Sequence, residues 1–366
     1  SATEITNSFW DIQTSGQEIS AGGEIGLTTA EMQDQYTYGS AGWDFENIWI
    51  MNGYPNLKWN TMAIEISSWT DLQAISQNLD GHYVLTRDLL TTDADYEEVA
   101  GPNANGGEGW KPIGAWNSAD FTGTLDGQNH SIDGLIIDRP TTEFCGVFAS
   151  IRDTALIHHL SVTNADITCS SYVGGLSGYI WDNCEVYRVD VSGDINGANY
   201  VGGFAGVIQN MHTNVYESSA NANVLGEYYV GGFVGQAGNE ALIYQSYSLG
   251  SVQGESYIGG FIGRSYGVLS NCYSEASSNG SGSAIGGFVG SVESGSVEKC
   301  WSNGVSPNGV AGRSGSIDYC FWDTDTSGTM GSGSGTGLTT YEMQDQAIFE
   351  SAGWDFENIW VMDGYP

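Results

Sequence analysis

One six-residue phrase sets the apolar and polar pattern of this chain: a β-branched residue, two glycines, an apolar residue, a small or apolar residue and a closing glycine. Val173-Gly174-Gly175-Leu176-Ser177-Gly178 returns at Val201, Val230, Ile258 and Ile285, at spacings of 28, 29, 28 and 27 residues. Phe144-Cys145-Gly146-Val147-Phe148 is a degenerate earlier copy and Asn308-Gly309-Val310-Ala311-Gly312 a later one. Between copies lies a second strand-like run, as in Ala241-Leu242-Ile243-Tyr244-Gln245-Ser246-Tyr247-Ser248, followed by a stretch rich in Gly, Asn and Ser. Two or three short strands in such a period match one coil of a β-solenoid, whose equivalent residues stack roughly 4.8 Å apart. A propeller blade needs roughly 40 residues or more, and no 3.6-residue periodicity supports helical repeats. The pattern therefore predicts an all-β fold, a right-handed parallel β-helix with coils of about 28 residues, its hand following the general preference of parallel crossovers. Val173 and Leu176 differ in parity, so the glycine pair between them is expected to bend the strand and let both reach the core.

A longer recurrence frames these coils. Gly26-Leu27-Thr28-Thr29 through Gly53-Tyr54-Pro55 returns as Gly337-Leu338-Thr339-Thr340 through Gly364-Tyr365-Pro366, an offset of 311 with 23 of 30 paired residues identical. Phe9-Trp10-Asp11 likewise returns as Phe321-Trp322-Asp323. The first copy runs on into Asn56-Leu57-Lys58-Trp59 and Ser1 aligns near Arg313, so both ends read as cuts in a tandem array. The expected organisation is a junction segment over 1–60, a capping helix and leading strands over 61–120, the β-helix over 121–330, and a second junction over 331–366. Short capping helices are expected at the junctions. Ser68-Trp69-Thr70-Asp71 fits a capping box, with Leu72, Ile75 and Leu79 following at helical spacing. Thr28-Thr29-Ala30-Glu31 and Thr339-Thr340-Tyr341-Glu342 read as helix starts.

Composition narrows the functional classes. Gly is 53 of 366 residues but Pro only 6, and aromatic residues reach 12%, which excludes collagen-like and disordered chains. With 44 acidic against 9 basic residues the net charge is -35, making nucleic acid and anionic membrane surfaces poor partners. The charge suits divalent cations, cationic surfaces, or solubility in salt. No run of 18 apolar residues predicts membrane insertion.

Candidate chemistry is sparse. The six cysteines lack zinc spacing, but Asn271-Cys272-Tyr273, Lys299-Cys300-Trp301 and Tyr319-Cys320-Phe321 are matching contexts. Cys272, Cys300 and Cys320 are thus expected to form one column of successive coils, close enough for a disulfide, with buried free thiols as the alternative. Asp323-Thr324-Asp325-Thr326-Ser327-Gly328 alternates oxygen ligands like a calcium loop, which makes Asp323 and Asp325 candidate calcium ligands. In the first copy the stretch reads Asp11-Ile12-Gln13, and no bidentate Glu follows, so a plain turn is the competing reading. Asp93, Asp95, Glu97 and Glu98 form an acidic cluster, ligand or solvated loop. His158-His159 lies in an alternating run, with one ring expected inward and one outward. Trp110, Trp116, Trp181, Trp301 and the repeated Tyr positions are candidate glycan platforms or turn-packing residues. A lyase would need a basic residue beside carboxylates; Arg188 and Arg264 lie in the repeat region, and neither sits in a signature. No nucleophile elbow, zinc helix or phosphate loop is present. Asn129-His130-Ser131 and Asn279-Gly280-Ser281 are glycosylation sequons, Asn279 in the more turn-like setting.

The Val-Gly-Gly-Phe-Val-Gly copies resemble the GLUG repeat family, and Phe121-Thr122-Gly123-Thr124-Leu125-Asp126-Gly127-Gln128-Asn129-His130 looks like the coil that commonly leads into it. Phe321-Trp322-Asp323-Thr324-Asp325-Thr326-Ser327-Gly328, followed by Gly-Leu-Thr-Thr and Gly-Trp-Asp-Phe, is similar to the closing segment of such modules. The resemblance covers nearly the whole chain. It implies a large secreted or surface-displayed bacterial or archaeal protein, often adhesin-like, and brings no catalytic residues. The expected function is therefore a structural or adhesive repeat module of an extracellular surface protein, a filament, surface layer or giant adhesin, and not an enzyme. Its expected partners are copies of itself or neighbouring modules of the same polypeptide, and glycans. A glycan-binding module and a polysaccharide lyase or hydrolase are the alternatives.

Overall fold

The computed structural model describes residues 7–17, 19, 25–46, 48–57, 63–209, 212–313, 315–329 and 334–366. The expectations attached to Ser1 and to Lys58-Trp59 fall outside the described residues. The chain divides into two compact units, Ser1–Ile64 and Glu65–Pro366. The segments expected over 61–120, 121–330 and 331–366 thus belong essentially to one unit.

That second unit is a parallel β-solenoid of about six turns with strands about 28 residues apart. One coil shows how the sequence builds it. Strands Asn214–Tyr216, Ser219–Leu225, Tyr228–Gly231 and Val234–Ala237 follow one another around the axis. Each pairs in parallel with its counterpart one coil on, Leu242–Tyr244, Tyr247–Gly254, Ser256–Gly259 and Ile262–Ser265. This coil has four short strands, whereas an earlier one has the expected three, Glu185–Asn196, Asn199–Gly202 and Ala205–Gln209.

The corners explain why simple alternation fails. Tyr187 faces outward and Arg188 takes a left-handed φ of 52°, so Val186 and Val189, three residues apart, both point into the core. The same step recurs with Ile157 and Leu160 around His159, at φ 53°. His159, Arg188, Glu217, Gln245, Asn271, Lys299 and Tyr319 all occupy this left-handed corner, one per coil. For such residues it costs roughly 1–2 kcal/mol, which the flanking ladders and buried apolar neighbours offset. A second left-handed column runs through Phe144, Tyr172, Tyr200, Tyr229, Tyr257 and Ala284.

Val173 and Leu176 are both fully buried, as expected, but the glycine pair acts differently from the expectation. Neither glycine lies in the left-handed region. They are there for close approach: a Cβ on Gly174 would stand 2.3 Å from Ala205 Cα, and one on Gly175 2.3 Å from Val191 Cγ1. The phrase thereby brings successive coils together and seats a stack of buried rings, Phe204, Phe233, Phe261 and Phe288, at centroid spacings of 4.5, 4.8 and 4.9 Å.

The start of the solenoid is covered by helix Trp69–Ala74, capped by the Ser68 hydroxyl accepting from Asp71 N. The Asp71 carboxylate accepts from Ser67 N, so the reciprocal half of the expected capping box is shifted by one residue. Trp69, Leu72 and Ile75 are buried, and the Trp69 and Trp110 indoles donate to Leu90 O and Val147 O.

The cysteine expectation is corrected. The disulfide joins Cys145 to Cys169, with Cα atoms 6.4 Å apart, while Cys272, Cys300 and Cys320 are buried free thiols. Side chains of in-register strands leave the backbone in parallel, and each of these thiols donates to the carbonyl two residues before it, at 3.3, 3.2 and 3.3 Å. Burial pushes the Cys300 thiol far up, reinforced by Cys272 and Cys320. The Cys145–Cys169 pair instead spans a register shift between Cys169 and Ser171, where facing chains are out of step. Nonreducing peptide mapping should find this single bridge and four free thiols. Replacing both bridged cysteines by Ser should cost about 3 kcal/mol, the value for closing a loop of this order. A bridge within the 272, 300, 320 column would contradict the assignment.

Candidate functional site

Three surface features merit a functional reading: the end caps, the outer columns of rings, and a cluster of Asp and His on the opening coils.

The cap residues settle the calcium expectation. Asp323 is the N-cap of helix Thr324–Ser327, its Oδ1 accepting from Asp325 N at 2.8 Å and Thr326 N at 3.0 Å. Its Oδ2 accepts from the hydroxyls of Thr340 and Tyr365, both at 2.7 Å. Asp325 Oδ2 accepts from Thr340 N at 3.0 Å. With Asp323 fully buried and its oxygens committed to four donors, the alternating oxygens form a helix cap and not a calcium loop. The first junction repeats the device: Asp11 caps Ile12–Ser15, and Tyr54 donates to Asp11 Oδ2 at 2.7 Å. Thr28 with Glu31, and Thr339 with Glu342, form complete capping boxes. The second junction packs Met343, Phe349, Trp354 and Trp360 together with Phe321 and Trp301 of the last coils, closing the end of the solenoid.

Burial alone would raise the Asp323 carboxyl, but the donors Tyr365, Thr326, Thr340 and Asp325 outweigh it and hold it below its ordinary value of 3.8. In Asp11, burial is likewise outweighed by Tyr54, Thr14, Thr29 and Gln13, which bring it to about 2. A depressed folded-state pKa contributes stability at pH above the unfolded value, lost as pH falls through the folded one. Both junctions should therefore hold at pH 5 and loosen as pH falls below about 4, the first of them through about pH 2, seen as a red shift of Trp emission. Asp323→Asn should loosen the second junction even at pH 7. Emission unchanged down to pH 2 would exclude this role for the carboxylates.

The candidate glycan residues sort by burial. Trp110 and Trp301 are buried, Trp181 lies under the Arg152 guanidinium at 4.0 Å, and Trp116 is 44% exposed. What the individual tryptophans do not show is that rings stack coil upon coil. Trp116, Phe144, Tyr172, Tyr200, Tyr229 and Tyr257 form one outer column at 4.5 to 5.0 Å. His158, Tyr187, Tyr216 and Tyr244 form another at 4.8 to 5.0 Å. A third, Tyr247, Tyr273, Trp301 and Tyr365, floors a cleft of about 530 Å³ that Glu217 and Glu275 also line. Burial raises the Glu275 carboxyl.

The histidines depart from the alternating expectation: neither ring enters the core. Left-handed His159 swings its ring back beside His158, placing the two Nδ1 atoms 2.8 Å apart. Asp126, paired with His158 one coil earlier, has Oδ1 3.3 Å from His158 Nδ1. The ligand atoms of these three residues all lie within 4.8 Å of one another, and among the described residues this is the one group of His, Cys, Asp and Glu so gathered. His158 stacks on Tyr187. Its desolvation lowers its pKa, against the opposing pull of Asp126.

The two arginines considered for lyase chemistry are in different sheets and engaged separately. Arg188 pairs with Glu217 at 2.6 Å on the corner column. Arg264 lies 3.4 Å from Glu293 and against Tyr266. Within the acidic cluster, Asp93 pairs with Arg87 at 2.5 Å and Asp95 accepts from Thr70 N at 2.8 Å. Asn279 is exposed in strand Ser277–Gly280, not in a turn. No described helix is long and apolar enough to cross a membrane.

No protein-family model matches the chain. It is 34% identical over 134 residues to halomucin of Haloquadratum walsbyi, an alignment covering 36% of this chain and 1% of halomucin. It is 32% identical over 362 residues to the "Putative Gly-rich membrane protein" of Evansella cellulosilytica, covering 76% of this chain and 41% of the relative. The chain therefore spans well under half of the curated relatives it matches. In structure it is similar to a "putative immunoglobulin A1 protease from Bacteroides ovatus", with a TM-score of 0.56 at 18% identity, covering 83% of this chain and 91% of that one. That likeness is one of fold.

Proposed function

We propose that this chain is a structural repeat module of a larger extracellular surface polypeptide of GLUG type, its partners being neighbouring modules or further copies, and that it is not an enzyme. The observation that carries the reading is the pair of junctions built alike, Asp11 with Tyr54 and Asp323 with Tyr365, which flank one solenoid in sequence. A module that repeats its own terminator is suited to serial use, because stacked coils set length and each junction ends one stack. The similarity to halomucin and to a Gly-rich membrane protein supports an extracellular setting, as does the disulfide, which persists in oxidising compartments. The separate engagement of Arg188 and Arg264 weighs against lyase chemistry.

Antibody labelling of intact cells, with the purified chain assayed against acidic and neutral polysaccharides, tests the proposal. Surface labelling without depolymerisation is expected. Turnover of one glycan, or labelling only after lysis, would overturn it. The cleft floored by Tyr247 and Tyr273 favours glycan binding as a second reading, since sugar faces stack on aromatic rings beside carboxylates. Saturable binding without turnover, abolished by Tyr273→Ala, would select that reading.

A further inference from the structure

We propose that Asp126, His158 and His159 bind a divalent transition-metal ion of the zinc class, joining two successive coils of the solenoid. The proposal is independent of the scaffold reading and rests on the local geometry.

The backbone builds the site. In an ordinary strand adjacent side chains point to opposite faces, and His158 and His159 could not meet. The left-handed φ of His159 puts both rings on the outer surface with their Nδ1 atoms 2.8 Å apart. The parallel register then places Asp126 directly beside His158, with Oδ1 at 3.3 Å. Asp126 Oδ1 accepts one hydrogen bond, from Gln128 N at 2.9 Å, and a carboxylate has further lone pairs for an ion. Two imidazoles and a carboxylate are a donor set for zinc, nickel, copper or cobalt, whereas calcium and magnesium prefer oxygen alone. All three side chains are half-buried, so water completes the coordination from the open side.

Two ring nitrogens this close share either a proton or a cation. The Arg188 guanidinium can only donate, and its Nη1 lies 3.2 Å from His159 Nε2, so that nitrogen accepts and the His159 proton sits on Nδ1, toward His158. Metal binding replaces this shared proton. The Nδ1–H bond of His159 breaks, its lone pair binds the ion, and the proton passes to Nε2 by way of solvent. Arg188, held by Glu217 at 2.6 Å, then withdraws from Nε2. Arg188 thus opposes the ion by fixing the other tautomer, and its removal should tighten binding.

Zinc titration of the whole chain by calorimetry, in a large excess of calcium to saturate the surface carboxylates, tests the site. One zinc per chain is expected, not displaced by calcium. His158→Phe keeps the ring stacked on Tyr187 and removes the ligand, and His159→Gln keeps a polar side chain at the corner. Each should weaken binding at least tenfold, with circular dichroism unchanged. Arg188→Gln should bind zinc several-fold more tightly. Absence of a saturable site above the calcium background, or equal affinity in the His158→Phe, His159→Gln double variant, would overturn the proposal. Weaker binding in Arg188→Gln would overturn the tautomer exchange.

Discussion

Phe261→Ala should destabilise the solenoid by about 3–5 kcal/mol, the range for truncating a fully buried aromatic residue. Phe261 is fully buried between Phe233 and Phe288, with ring centroids 4.8 and 4.9 Å away, so truncation removes two ring contacts and leaves a hole in the middle of the stack. Such a loss is large against the roughly 5–15 kcal/mol by which domains are stable. In a solenoid each coil contacts mainly its neighbours, so the damage should be local. Hydrogen exchange should accelerate in the coils of Phe233, Phe261 and Phe288 and little in the cap around Trp69. A lowered urea midpoint with that graded pattern is expected. A change under 1 kcal/mol, or uniform acceleration along the chain, would contradict a stacked and quasi-linear core.

Gly260→Ala should be nearly as damaging, although only one methyl is added. The new Cβ would lie 2.1 Å from Gly287 O and 2.5 Å from Ser274 Oγ. The carbonyl belongs to the next coil, and the Gly260 N to Gly286 O hydrogen bond at 3.2 Å ties the two coils together there. Separating them breaks the ladder on either side. Overpacking of this kind costs about 1–3 kcal/mol, more when the backbone must shift, and exceeds the gain of about 0.4–1 kcal/mol from a stiffer unfolded chain. Gly39, in helix Gln35–Ser40, has nothing within 4 Å of its Cβ position and serves as the control. Thermal melts should show Gly260→Ala lower by several degrees and Gly39→Ala unchanged or higher. Equal melts would mean that the glycine phrase does not set the approach of the coils.

The solenoid was legible because its period is written twice, once in the Val-Gly-Gly-Phe phrase and once in the runs between. The inward positions Val201, Val230 and Ile258 follow directly from it, and all are buried. The corners were less legible. Left-handed φ is read from Gly or Asn in a sequence, and here Tyr, Arg, Glu and Lys occupy it because coil stacking over-determines the backbone. A signal was nonetheless present: His159, Arg188, Glu217 and Gln245 recur at coil spacing, each following the residue of an outer ring column. Alternation alone points one histidine inward, whereas the left-handed corner at His159 keeps both rings outside and assembles the Asp126, His158, His159 group. Cys272, Cys300 and Cys320 are all buried and free, because spacing within pairing range does not make a bond when side chains leave in parallel. Asp323 misled for a related reason. An N-cap and a cation both want oxygens on a tight turn, and only the donors from Thr340 and Tyr365, distant in sequence, separate the two.

The role proposed for this module is that of a length of stacked coils in a larger surface polypeptide. Electron cryo-microscopy of the native polypeptide, purified from the cell surface, tests it most directly. Rods are expected in which solenoids of this kind follow one another between junctions, each coil advancing the rod by about one strand spacing, 4.8 Å. Isolated compact particles holding a single solenoid over a closed substrate cleft would contradict it.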